Sequence, residues 1–86
     1  MRTNPNIIVG NLNQFEREVR KLDKENARHA DYVRKFDEII DFLAEHRCWE
    51  TAAFLKSPEV YRGNLADRIG EAAVMLAEKY AEKVAA

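Results

Sequence analysis

The 86-residue chain is poor in cysteine, proline and glycine, and poor in any excess of one charge. It has one cysteine, two prolines and three glycines. A lone Cys48 excludes an internal disulfide and makes a reducing compartment the simpler expectation. So few turn-forming residues, beside 47% hydrophobic and 34% charged ones, argue against disorder and for an all-α domain. The formal net charge of −1 excludes the global positive excess that draws proteins to nucleic acid or anionic lipid. No apolar run reaches the roughly 20 residues of a membrane-crossing helix, and no basic-then-apolar leader opens the sequence. The expectation is a soluble, cytoplasmic protein with no membrane association.

Reactive groups are scarce as well. His29, His46 and Cys48 are the only soft or nucleophilic side chains of note. Two residues apart on a helix, His46 and Cys48 point to different faces, and no further His or Cys completes a zinc set. A Cys–His nucleophile also needs an oriented pair and an oxyanion site, which nothing supplies. Neither an enzyme, a metal site nor a cofactor is expected. Cys48 reads as a small buried apolar residue beside Trp49.

What the chain has is apolar periodicity. Residues 1–10 read as an N-terminal arm in which Pro5 and Gly10 bracket a β-prone run, Ile7, Ile8 and Val9, outside any helix. Residues 11–86 read as a single helical domain. Asn11 with Gln14, or Asn13 with Glu16, resembles a capping box at the start of the first helix. From there a seam with alternating spacings of three and four runs through Leu12, Phe15, Val19, Leu22, Asn26, His29, Val33, Phe36, Ile40 and Leu43. That is a coiled-coil heptad pattern. No Gly or Pro falls between Asn11 and Lys56, so one helix of about 35 residues and roughly 50 Å is permitted.

The seam is almost palindromic. Leu22 matches Val33, Val19 matches Phe36, Phe15 matches Ile40, and Leu12 matches Leu43, with Asn26 facing His29. This contact set belongs to an antiparallel helix pair, formed either by a hairpin turning at 26–30 or by two long helices crossing in a homodimer. A parallel dimer would instead set Glu18 near Asp23 of its partner. A tight turn ordinarily carries Gly or Pro, so the continuous helix is the preferred reading. Asn26 and His29 then form a polar layer that fixes register, and Leu22, Asn26, His29, Val33 and Phe36 form the oligomer interface. Phe36, Ile39, Ile40, Phe42 and Leu43 cover nearly half the circumference and need more than one neighbour. The last helix, with the Ile7–Val9 arm, is expected to cover them.

Towards the C-terminus, "CWETAAFLK" reads as a short helix burying Trp49, Ala52, Ala53 and Leu55. Ser57, Pro58 and Glu59 make a strong helix start, and "GNLAD" offers a restart with Asn64 capping. The last helix runs to about Val84 with Leu65, Ile69, Ala72, Leu76 and Tyr80 on one face. Beside these lies a stripe of small residues, Ala66, Gly70, Ala73, Ala77 and Ala81, that permits close helix approach.

Charge is arranged in stripes. Arg17, Lys21, Lys24, Arg28 and Lys35, with Arg20 beside them, project opposite the seam and form a candidate dock for an acidic protein partner or a phosphate backbone. Asp37, Glu38, Asp41 and Glu45 form an acidic strip. The stretch "TAAFLKSPEVYR", residues 51–62, resembles the helix-turn-helix of excisionase-like DNA-binding domains in its Ala-Ala, Leu and Val-Tyr-Arg. That resemblance implies a DNA-binding regulator using residues 51–70, with Tyr61 and Arg62 opening the recognition helix. The turn is about two residues shorter than the family's and lacks its glycine.

The fold class expected from all this is all-α. A small helical bundle or hairpin has a long N-terminal helix and an Ala-rich C-terminal helix, and is dimeric because the seam exceeds what so small a chain covers. The function expected is that of a non-enzymatic helical interaction protein. It would be an adaptor or an inhibitor of a partner macromolecule, of the plain kind phages and plasmids use against host enzymes or defences. DNA binding is the alternative, and a third is a small anionic ligand or nucleotide held at a subunit interface by Arg28 and His29.

Overall fold

The computed structural model describes the backbone of residues 5–85 and the side chains of 6–81, so the first four residues of the expected arm lie outside it. Its helices are α1 (Pro5–Lys24), α2 (His29–Glu45), α3 (Trp49–Leu55) and α4 (Leu65–Ala85), with a 3-10 turn at Arg62–Asn64 leading into α4. The all-α expectation holds, and the described residues include no strand.

The first helix begins earlier than its apparent caps. Pro5 occupies its first position, where a missing N–H and a fixed φ cost nothing. Ile7, Ile8 and Val9, expected outside any helix, lie in its first two turns. Their β propensity is overridden because Ile8 falls on the same helical stripe as Leu12, Phe15 and Val19, all of them buried. Asn11 and Asn13 are therefore interior rather than capping, and the Asn11 amide donates back to the Ile7 carbonyl at 2.7 Å.

The continuous helix from Asn11 to about residue 47 does not form, and a hairpin takes its place. After Lys24 the chain closes a Schellman motif: the Asn26 N–H donates to the Asp23 carbonyl at 3.2 Å and the Ala27 N–H to Leu22 at 3.0 Å. Asn26 itself sits at φ 53, a left-handed position that Asn adopts more readily than most residues. The same device ends α2, where Arg47 at φ 58 donates to Ala44 at 3.0 Å and Cys48 donates to Leu43 at 2.8 Å. Neither stop needed glycine or proline.

The resulting α1–α2 pair is antiparallel in the register the seam describes. The Tyr32 hydroxyl donates to Asp23 at 2.6 Å, Lys35 reaches Glu18 at 3.4 Å, and Phe15 meets Phe42 edge-on with ring centres 5.6 Å apart. The face of the second half is rotated, however. Tyr32, Ile39 and Leu43 are buried, whereas Val33 is 45% exposed and Phe36 and Ile40 are half-buried. Residues 25–28 leave the helix, so the helical phase is reset and the heptad does not carry across the turn.

Helix α4 packs antiparallel on α1. Arg20 reaches Asp67 at 3.1 Å, and one turn further along Gly70 lies against Glu16, whose carboxylate oxygen stands 3.0 Å from where a Cβ would be. Leu65, Ile69, Ala72 and Leu76 are buried with Tyr80 half-buried, as the pattern predicts. Of the small stripe, Ala66 and Ala73 are buried and Gly70 half-buried, while Ala77 and Ala81 are exposed. The wide apolar face of α2 is covered chiefly by α1 and α3 rather than by α4. Within α3, Ala52 and Leu55 enter the core, but Trp49 is 64% exposed and Ala53 is exposed too.

Residues 57–59 do not start a helix. They form a turn in which the Val60 N–H donates to Ser57 at 2.9 Å. The Asn64 side chain stitches the next turn, accepting from the Tyr61 N–H at 2.8 Å and donating to the Glu59 carbonyl at 3.0 Å. This holds Tyr61 extended and delays the long helix to Leu65.

Candidate functional site

The reset phase of α2 leaves an apolar stripe with no helix over it. His29, Val33 and Phe36 form one wall of a groove of about 190 Å³, with Tyr32 and Leu65 at its base and Val60, Tyr61 and Arg62 opposite. Burial of Tyr32 and Leu65 fixes the base to the core. The opposite wall is held by the Asn64 hydrogen bonds and by Arg62, whose guanidinium lies 4.5 Å from the Tyr32 ring centre and donates to the Ala27 carbonyl at 2.9 Å. One arginine therefore fastens the turn after α1, the first turn of α2 and the loop before α4. The hydrogen bond to Asp23, then burial, raises the Tyr32 phenol above its usual pKa, with Arg62 partly opposing the shift. The phenol thus stays a neutral donor at physiological pH. The groove's rim is apolar and exposed: Val33 by 45% and Tyr61 by 65%.

Three of the five residues expected at an oligomer interface, His29, Val33 and Phe36, meet in this groove. Leu22 instead packs against the core, and Asn26 is exposed in the turn. Asn26 serves the backbone through its left-handed φ rather than through register. Tyr61 and Arg62 enter the site although only the DNA-binding reading had singled them out. No signal in the sequence placed them there, because Ser57, Pro58 and Glu59 read as a helix start that would carry both residues into a helix.

The proposed basic stripe is divided. Arg17, Lys21, Lys24 and Arg28 are exposed, and Arg17, Lys21 and Lys24 share the face of α1 turned away from the core. Arg20 points towards α4, bonded to Glu16 at 2.7 Å and to Asp67. Lys35 is only 21% exposed and lies in the α1–α2 groove between Glu18 and Glu38, 5.9 Å from the centre of the Phe15 ring. Burial alone would lower its pKa, but the two carboxylates outweigh it and hold the ammonium above its ordinary value. Arg20 and Lys35 thus act as ties between helices.

Tyr61 and Arg62 do not open a recognition helix. Tyr61 is extended, Arg62 starts the 3-10 turn with its guanidinium on Tyr32, and α4 begins only at Leu65. Cys48 is buried as expected, and burial pushes its thiol pKa up, which suppresses the thiolate a nucleophile needs. Among the described residues no three His, Cys, Asp or Glu side chains gather as a metal would require, and no helix is long and apolar enough to cross a membrane. Compared with protein-family models, curated proteins and solved structures, the chain matches none of them.

Proposed function

We propose that the chain is a small, non-enzymatic helical interaction protein, an adaptor or inhibitor whose docking face is the groove between α2 and the 60–62 loop. The observation that carries this reading is the exposure of Val33 and Tyr61 on either rim of an apolar groove whose base is locked into the core. Apolar side chains left in water across one continuous site are a common mark of a surface that a macromolecule covers. A rigid base also lowers the ordering cost of binding. The basic face of α1, Arg17, Lys21 and Lys24, is a second surface, suited to an acidic partner by charge rather than by shape.

The test is capture on the immobilised chain from an extract of its native cells, supplemented with untagged chain. Val33→Glu combined with Tyr61→Ser removes what the wild-type chain retains, while Val74→Glu, on the exposed side of α4, leaves it in place. Retention that is the same for all three proteins would overturn the groove as the docking face.

A further inference from the structure

The groove between α2 and the 60–62 loop has one charged end. Arg62 is the only permanently charged side chain in its lining, and no carboxylate lines it. The guanidinium is exposed yet fixed, lying 4.5 Å from the Tyr32 ring centre and donating to the Ala27 carbonyl at 2.9 Å. It has no ion pair among the described residues. Asp23 is taken up by the Tyr32 hydroxyl at 2.6 Å. Arg28 and His29 follow Ala27 directly, so they stand at the same end, exposed and likewise without an ion pair among the described residues. The N-terminus of α2 lies there too, with no side chain capping it, and its dipole adds to the positive field. Asp31, the one acid of that first turn, is matched to Arg34 at 3.9 Å.

Away from that end the walls are apolar, formed by Val33 and Phe36 on one side and Val60 and Tyr61 on the other. The volume of about 190 Å³ is below the roughly 300–1,000 Å³ of a cleft that encloses a small-molecule ligand. Its length along α2, from His29 to Phe36, is about 10 Å. That is room for one or two large side chains one helical turn apart, projecting from a larger partner. Covering the groove also takes Arg62 out of water, and a charge so buried needs a counter-charge.

From this we infer that the groove's occupant is an acidic segment of a partner protein. It sets one or two large apolar side chains against Val33, Phe36 and Tyr61, and a carboxylate on Arg62. A guanidinium offers a carboxylate a planar fork of donors. The fork of Arg62 is already held by Tyr32 and Ala27, so little side-chain freedom is lost when the acid arrives. A purely apolar segment would bury Arg62 uncompensated, and a basic one would meet Arg28 and Arg62 with like charge. A phosphate backbone would use the cations and leave Val33 and Val60 in water. The assignment rests on reading the groove as the docking face, and it names the chemistry of what docks there.

Selection of short random peptides, displayed on phage, against the immobilised full chain tests it. Enriched peptides are expected to carry an aromatic or large aliphatic residue with Asp or Glu within one helical turn of it. Such a peptide, labelled and followed by fluorescence anisotropy, is expected to bind with a dissociation constant on the order of 10–100 µM, weakening as salt is added. Changing its acid to the amide weakens binding to the wild-type chain about tenfold, and to Arg62→Gln less than about twofold. This comparison reads the pair itself, because the peptide change leaves the fold of the chain untouched. Arg62→Lys, which keeps the charge and loses the fork, recovers only part of the affinity. Val33→Glu weakens binding more than about tenfold, whereas Val74→Glu, on the exposed side of α4, leaves it unchanged. Circular dichroism of each variant confirms its helix content before binding is read.

Peptides that lose binding to Val33→Glu but carry no acid, or carry Lys or Arg in its place, overturn the acidic occupant and leave the docking groove standing. So does an acid whose loss costs the same on wild type and on Arg62→Gln. A chain that selects no peptide overturns the acidic occupant as well. If its mass in sedimentation equilibrium then rises from 10.0 kDa towards twice that value, and Val33→Glu prevents the rise, the groove takes a second copy instead. Enriched peptides indifferent to Val33→Glu with Tyr61→Ser overturn both the acidic occupant and the groove.

Discussion

Among the described residues, Arg47 has the most strained backbone. At φ 58 its side chain meets the steric cost of the left-handed region, about 1 kcal/mol or more for a residue other than glycine or asparagine. It stays there because its N–H and that of Cys48 satisfy the last free carbonyls of α2. Arg47→Gly is therefore expected to stabilise the fold by about 0.5–1 kcal/mol, read as a higher urea midpoint at unchanged slope. Arg47→Ala keeps the steric cost and gives no such gain. An equal gain from both would mean that the arginine's charge, not its backbone, is the liability. Asn26→Gly gains less, since asparagine tolerates φ 53.

Tyr32 supplies the residue-scale test of the groove's base. Its phenol pKa is raised first by the bond to Asp23 and then by burial, so the fold favours the protonated form. A raised folded-state pKa contributes stability that is complete below the unfolded value, near 10 for tyrosine, and is lost as pH rises through the folded value. Tyr32→Phe removes the bond and this linkage together. The variant is expected to melt lower than wild type at neutral pH, with the difference shrinking as pH climbs from about 9 to about 11. A difference constant across that range would show that the hydroxyl contributes by packing alone.

At the scale of the elements, the pairing of α1 with α2 could be read from the sequence, whereas the facing of α2 could not. Apolar spacing records which residues lie opposite one another, so Asp23 with Tyr32 falls on the expected register, and Glu18 with Lys35 and Phe15 with Phe42 fall within two residues of it. Phase across a turn depends on the dihedral angles of four residues, and no periodicity records those. The stops were obscure for a related reason: Asn26 and Arg47 take a conformation for which glycine is the usual sign. Packing of α4 was the most legible part, because its buried stripe and small residues lie on one uninterrupted helix. Gly70 gives this packing a test. Gly70→Ala adds helix propensity of about 1 kcal/mol, and its Cβ asks the Glu16 carboxylate to move by a few tenths of an ångström. That carboxylate ends a flexible side chain in an exposed ion pair, which is worth little. The substitution is expected to raise the melting temperature, and a fall would show that Glu16 is held rigidly between Arg20 and the backbone of α4.

Taken as a whole molecule, 86 residues bury only a modest fraction of their surface, so the isolated fold stands near the lower limit of stability for its size. The core is one continuous cluster from Ile8 to Leu76, yet the groove keeps Val33 and Tyr61 outside it. If an acidic segment covers them, binding and folding are linked, since the segment acts on the folded chain and not on the unfolded one. The stabilisation then grows with the concentration of the segment as RT ln(1 + [L]/Kd), which amounts to about 1.4 kcal/mol when the free peptide is roughly tenfold above Kd. For a domain of this size that is a rise of several degrees in melting temperature. Calorimetric scans with a selected peptide from about 10 µM to about 1 mM are therefore expected to show Tm climbing for the wild-type chain and staying level for Val33→Glu. The level curve should meet the wild-type one at low peptide concentration, because Val33 is exposed in the free chain and its replacement costs the fold little. If the two curves run parallel at all concentrations, Val33 contributes to the fold and nothing to binding.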